Sequence, residues 1–180
     1  MPRANSHPRA LALGLAIVLV VAALIYLPGL SGPFLFDDTI NILQNSALQV
    51  DSLAPEGLWR AAWSLESGPL KRPVAYLSFA LNHYFAGGYE AFAFKATNLA
   101  IHLLNTLLVA ALALRLAGTV WPQDAGVRRR MALLAAAVFA LHPLALSPVL
   151  YVVQRMASLA GTFTLAAVLC WVEARGRWGQ

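Results

Sequence analysis

The chain has 180 residues, 59% of them hydrophobic and only 12% charged. A soluble domain carries about a quarter charged residues, so this composition argues against an ordinary soluble enzyme and points to the membrane class. The net charge of +5 comes from scattered basic residues, with no basic face interleaved with aromatics, which argues against a nucleic-acid partner. The single cysteine, Cys170, can form neither an intrachain disulfide nor a metal site alone. It is expected to be a small packing or lipid-facing residue.

Met1 to Arg9 is polar and basic, and Ala10 to Leu30 is an apolar run long enough to span a bilayer. The run is long for a secretory signal, and Tyr26, Leu27 and Pro28 occupy the place of a cleavage site. It is read as an uncleaved first spanning helix (about 10–30), ended by Pro28, Gly29, Gly32 and Pro33. An outer segment (about 31–90) follows and holds most of the acidic residues: Asp37, Asp38, Asp51, Glu56, Glu66 and Glu90. Two amphipathic helices are predicted in it. One starts near Ser52 or Pro55 and carries Leu58, Trp59, Ala62 and Trp63 on one apolar side. The tryptophans suit the headgroup level. The other starts at Pro73, runs from Val74 to Phe85, and breaks at Gly87-Gly88.

A second spanning helix is predicted over about 92–116. Lys95, Asn98, His102 and Asn105 recur on it at steps of three and four, hence on one stripe. At membrane depth such groups face protein or a cavity. Interhelical hydrogen bonding is the simpler use of His102 and Asn105, whereas Lys95 and Asn98 lie nearer the surface, where a ligand is within reach. After a polar loop ending in Arg128-Arg129-Arg130, a third span (about 128–146) ends around His142-Pro143 and Pro148. A fourth (about 149–172) has Arg155 near its start. The expectation is an all-α membrane protein, one membrane domain over 1–180, with about four transmembrane helices plus amphipathic juxtamembrane helices in the first outer loop. The short segments rich in arginine make both termini cytoplasmic by the positive-inside rule. Asp37, Asp38, Lys71, Arg72, Lys95 and Arg155 then fall on the outer face.

That convergence of charge suggests chemistry. Adjacent carboxylates in a partly dry place repel, and one pKa is driven up; such a group serves as a general base, and a pair can hold a divalent cation, with Asp38 the candidate ligand. A polar loop or helix cap would use the same residues. Lys71, Arg72 and Arg155 can bind an anionic phosphate, since a guanidinium pairs with it bidentately; snorkelling and attraction to anionic lipid are the alternative. Arg72 and Arg155 are expected to face one polar cavity with Asp37 or Asp38. The two carboxylates are expected to divide, one as base and the other structural or facing metal.

Five stretches carry a resemblance. They are Phe36-Asp37-Asp38-Thr39-Ile40-Asn41, Arg72-Pro73-Val74 with Ser78-Phe79-Ala80-Leu81-Asn82, Asn98-Leu99-Ala100-Ile101-His102-Leu103-Leu104-Asn105-Thr106, His142-Pro143, and Tyr151-Val152-Val153-Gln154-Arg155-Met156. In their order and spacing, from Pro33 to about Leu165, the chain resembles the amino-terminal part of a GT-C class membrane glycosyltransferase. The resemblance is to bacterial relatives of the transmembrane and tetratricopeptide-repeat O-mannosyltransferases. It implies transfer of a sugar from a polyprenyl-phosphate donor to a hydroxyl on a protein or glycan, on the periplasmic face of a bacterial inner membrane. The first outer loop of that class carries the catalytic acid, here Asp37 or Asp38. Lys71, Arg72, Lys95 and Arg155 would bind the donor phosphate, with Asn41, Asn98, His102 and His142 as supporting polar groups. Relatives have more spanning helices, often a repeat domain, and often a Glu where this chain has Ser147. These departures imply that the 180 residues alone are inactive, and a non-catalytic module for assembly or lipid binding is the alternative function.

Overall fold

The computed structural model describes residues 8–65 and 71–178. Arg3, Glu66 and the side chain of Arg177 lie outside the described residues. Those residues form helices and connecting turns, with no strand. The helices are α1 (Pro8–Tyr26), α2 (Pro55–Ala62), α3 (Pro73–Ala86), α4 (Ala91–Val120), α5 (Ala125–Leu141), α6 (Leu146–Leu150) and α7 (Arg155–Trp178). Three segments are long and apolar enough to cross a membrane: Arg9–Gly29, Ala91–Val120 and Val152–Arg175. Ala125–Leu141 with Pro143–Leu150, bent by 54° at His142, makes a fourth if the pair is one span. Pro143 has no N–H to continue α5 and holds His142 before it in an extended conformation, so the helix ends at Leu141.

The helices group into two compact units. The first takes the described residues of Met1–Ile25, His102–Ala145 and Gly161–Gln180. Its helices meet through small residues: Ala132, Ala136 and Ala140 make a buried stripe on α5, and Gly14 lies so near Leu133 that a Cβ would be 2.7 Å from its side chain. Close approach of this kind replaces the hydrophobic drive that is missing between helices in lipid. Polar groups from the sequence stripe are spent inside this unit. His102 Nε2 lies 3.1 Å from the Ala140 carbonyl and its ring stacks on Phe139, while Thr162 donates to Asn105 Oδ1 at 2.7 Å.

The second unit takes Tyr26–Ile101 and Leu146–Ala160. Its core joins Ile42, Leu48, Val50, Ala61, Leu65, Tyr76, Phe79, Phe94, Val152 and Val153. The segment between the first two candidate spans thus packs around an apolar centre shared with Phe94, Val152 and Val153. α2 buries Ala61 and Ala62, with Leu58 against the core. The face at spacings of three and four is therefore Leu58, Ala61, Ala62 and Leu65, not the one containing the tryptophans. Trp59 and Trp63, one turn apart, face outward at 68% and 42% exposure and touch each other, ring centres 5.5 Å apart. α3 begins with Pro73 in its first turn and ends at Gly87, whose φ of 71° suits a residue without Cβ.

Candidate active site

The Asp37-Asp38 stretch is held by an irregular backbone. Among the described residues, Phe36 is the non-glycine residue with positive φ, at 45°, a left-handed conformation that costs roughly 1–2 kcal/mol when a Cβ is present. Thr39–Leu43 then winds as a π-helix, closed by Gln44 N–H donating to the Thr39 carbonyl at 2.9 Å. Strain and π-turns both concentrate at functional positions.

This backbone sends the two carboxylates apart. Asp38 is fully buried. Its Oδ1 accepts from Val153 N–H at 2.7 Å. Its Oδ2 accepts from Val152 N–H at 3.3 Å and from Leu35 N–H at 3.0 Å. Val152–Gln154 is the 3-10 turn that leads into α7, so Asp38 caps the first donors of that turn from 114 residues away. Burial pushes the Asp38 carboxyl above the ordinary carboxylate range, and the three N–H groups and the Lys95 ammonium pull it back. Asp37 is exposed. Its backbone N–H donates to the Tyr151 hydroxyl at 3.0 Å, and the exposed ring of Phe36 packs edge-on against the same tyrosine.

The cations expected beside the pair split in the same way. Arg155 has no exposed surface. Its Nε donates to Asn98 Oδ1 at 2.7 Å, Nη2 to the Phe94 carbonyl at 2.7 Å, and Nη1 to the Ser78 carbonyl and hydroxyl at 3.2 and 3.1 Å. The guanidinium also lies 4.6 Å from the Phe79 ring centre. Arg155 therefore ties α3, α4 and α7 together, and its donors are engaged by protein. Lys95, also buried, donates to the carbonyls of Gly32 and Pro33 at 2.8 Å each. Asn98 bridges Arg155 to the Tyr151 and Val152 carbonyls. Lys71 and Arg72 are exposed, and the Lys71 ammonium donates to the Leu65 carbonyl. Arg72 acts on the Tyr76 hydroxyl, which burial pushes up to about 12 against the pull of that cation.

A pocket of about 440 Å³ is lined by Ile40, Asn41, Gln44, Asn45, Ser64 and Tyr76 among others. Asn41 connects it to the carboxylate stretch: its amide donates to the Asp37 carbonyl at 2.9 Å, and the Tyr76 hydroxyl donates to its Oδ1 at 3.5 Å. Neutral amides and hydroxyls are groups that can hydrogen-bond a sugar or hydroxyl ligand. His102 and His142 belong to the first unit, where His142 Nδ1 accepts from Leu144 N–H at 3.2 Å. Among the described residues no three His, Cys, Asp or Glu side chains come together. The carboxylate expected to face a cation, Asp38, faces backbone N–H groups instead. Sequence alone does not mark Tyr76 and Tyr151 as site residues; their apolar surroundings read as core, and nothing local signals their hydroxyls.

The apolar helices fit a multi-pass membrane protein. The chain is similar to proteins named protein O-mannosyl-transferases. It is 29% identical over 163 residues to human TMTC4, covering 86% of this chain and 22% of that protein. It is 30% identical to Drosophila melanogaster Tmtc2 (84% and 15%) and 32% identical to Tmtc1 of the same fly (89% and 17%). The chain thus spans about a fifth of the length of these relatives. No family model matches the chain, and no solved structure does.

Proposed function

We propose that the chain is part of a membrane glycosyltransferase and that Asp37 is its general base. One observation carries this: of the two adjacent carboxylates, Asp38 is consumed by the N–H groups of Leu35, Val152 and Val153, while Asp37 is left at the surface with its carbonyl bonded to Asn41, a residue that lines a polar pocket. An acceptor hydroxyl hydrogen-bonds in the pocket near Asn41 and Tyr76. Asp37 takes its proton, the oxygen attacks the anomeric carbon of the donor sugar, and the bond from that carbon to the phosphate oxygen breaks. The phosphate leaves with the electron pair, and the exposed cations Arg72 and Lys71 stabilise its charge. Arg155, Lys95 and Asn98 act as positioning residues.

The similarity to protein O-mannosyltransferases supports a protein hydroxyl as acceptor and mannose as sugar. A polyprenyl phosphate is the donor that suits chemistry at the end of spanning helices. The reaction is assigned to the periplasmic face of a bacterial inner membrane, opposite the basic run Arg128-Arg129-Arg130. A membrane module without catalysis is the second reading, favoured by the hydrogen bonds that hold the buried Arg155 and Lys95 to protein groups.

Membranes from cells carrying a chromosomal Asp37→Asn substitution, supplied with a radiolabelled polyprenyl-phosphate sugar, test the choice. Asn keeps the size and loses the proton acceptor, so transfer to protein falls by roughly 10²-fold or more with donor binding retained. Transfer at the wild-type rate would leave the non-catalytic module.

A further inference from the structure

The first unit carries an open pocket of about 390 Å³ that the transfer chemistry does not use, lined by Leu11, Leu114, Arg115, Gly118, Arg128 and Arg129 among others. It draws three guanidinium groups from α4 and α5. Two carboxylates are nearby in sequence or contact. Glu173 forms an ion pair with Arg115. Asp124 caps α5, its Oδ1 accepting from Val127 N–H at 2.8 Å. Arg128 lies over Gly118, whose Cβ, if present, would sit 3.7 Å from Nη1. Its Nε is buried and has no hydrogen-bond partner.

A buried N–H on a charged group without an acceptor is costly. An anion rich in acceptor oxygens removes that cost, and guanidinium forks favour the tetrahedral oxygens of phosphate. The depth of the pocket decides which anion. Arg115 and Gly118 lie in the last turns of a 30-residue apolar helix, Arg128 lies in the first turn of α5, and Leu11 and Leu114 supply apolar walls. The pocket therefore sits where spanning helices end, at the level of headgroups, with an apolar side for the glycerol and acyl root. We propose that it binds the headgroup phosphate of an anionic phospholipid. Basic pockets between spanning helices recognise such lipids electrostatically.

The test uses the chain purified in a non-ionic detergent, with native mass spectrometry of retained lipid and melting temperature as readouts. Phosphatidylglycerol, phosphatidylcholine and inorganic phosphate are the probes. Wild type should retain phosphatidylglycerol over phosphatidylcholine and melt higher with it. Arg128→Ala should weaken retention about tenfold, which corresponds to about 1.4 kcal/mol, while Arg130→Ala should leave it unchanged. Gly118→Leu, which fills the floor and keeps every arginine, should also weaken it, and stands in if Arg128→Ala does not fold. Equal retention of the two lipids, or wild-type retention by Gly118→Leu, would overturn the proposal. So would saturation by inorganic phosphate with no lipid preference, since that describes a site for a soluble anion.

Discussion

Replacing each of two adjacent aspartates should have opposite consequences. In Asp38→Ala, three backbone N–H groups lose their acceptor, and those of Val152 and Val153 are buried. Each stranded buried donor costs about 1–3 kcal/mol. Against that, the substitution removes a carboxylate whose burial is itself unfavourable and pushes its pKa upward. The net loss should be about 2–4 kcal/mol, a large share of a typical stability of about 5–15 kcal/mol. Asp38→Asn should do little better. It keeps one acceptor oxygen and turns amide hydrogens toward N–H groups that need an acceptor. Asp37→Asn, on an exposed residue, should stay within about 0.5 kcal/mol of wild type. Thermal unfolding in detergent reads this as a fall of roughly 4–16 °C for Asp38→Ala and no shift for Asp37→Asn, with membrane levels following the same order. An Asp38→Ala protein that melts with wild type, or an Asp37→Asn protein that is the less stable of the two, would refute the division of roles.

Arg155→Lys should lose about 2–4 kcal/mol, because a point ammonium cannot reach Asn98, Ser78 and Phe94 together; an unchanged melting temperature would show that the fork is idle. Trp59→Ala with Trp63→Ala should shift stability by less than about 1 kcal/mol yet remove a component of tryptophan fluorescence quenched by lipids brominated near the headgroup, and unchanged quenching would place α2 away from the bilayer. Phe36→Gly should be more stable than Phe36→Ala by roughly 1–2 kcal/mol, since both lose the ring and only Gly is at ease at a φ of 45°; equal denaturation midpoints would mean the backbone is not strained.

The helices were legible because their signals are local. Pro55 and Pro73 start α2 and α3, Gly87 ends α3, and long apolar runs make α1, α4 and α7. Which face each short helix buries was less legible. Tryptophans dominate the apolar character of α2, yet it is the small Ala61 that joins Val50 and Leu65 in the core. The site was legible as a set of residues and not as an arrangement. Arg155 reads as a lone charge starting an apolar helix, which suggests a ligand; its partners are the Asn98 amide and three groups of Ser78 and Phe94, and carbonyl acceptors have no sequence signature. Asp38 meets backbone N–H groups, equally silent in sequence.

Those silent contacts explain how a surface carboxylate can be held in place. Asp37 is clamped through its backbone N–H by the Tyr151 hydroxyl, and the next residue is clamped through its side chain by Val152 and Val153. Both clamps close on three consecutive residues, separated from the pair by about 114 positions. The same three residues lead into Arg155, whose guanidinium is fixed to α3 and α4. A buried cation and a buried anion thus fix the two ends of one turn without touching each other. Their costly desolvation is spread over neutral acceptors and donors of several elements. An exposed loop residue would ordinarily sample many orientations, but Asp37 follows a strained Phe36 and precedes an anchored Asp38, so its backbone has little freedom left. A base must be within hydrogen-bond reach of its proton before its pKa matters, and in the role proposed for Asp37 this anchoring would hold the carboxylate in place without burying it.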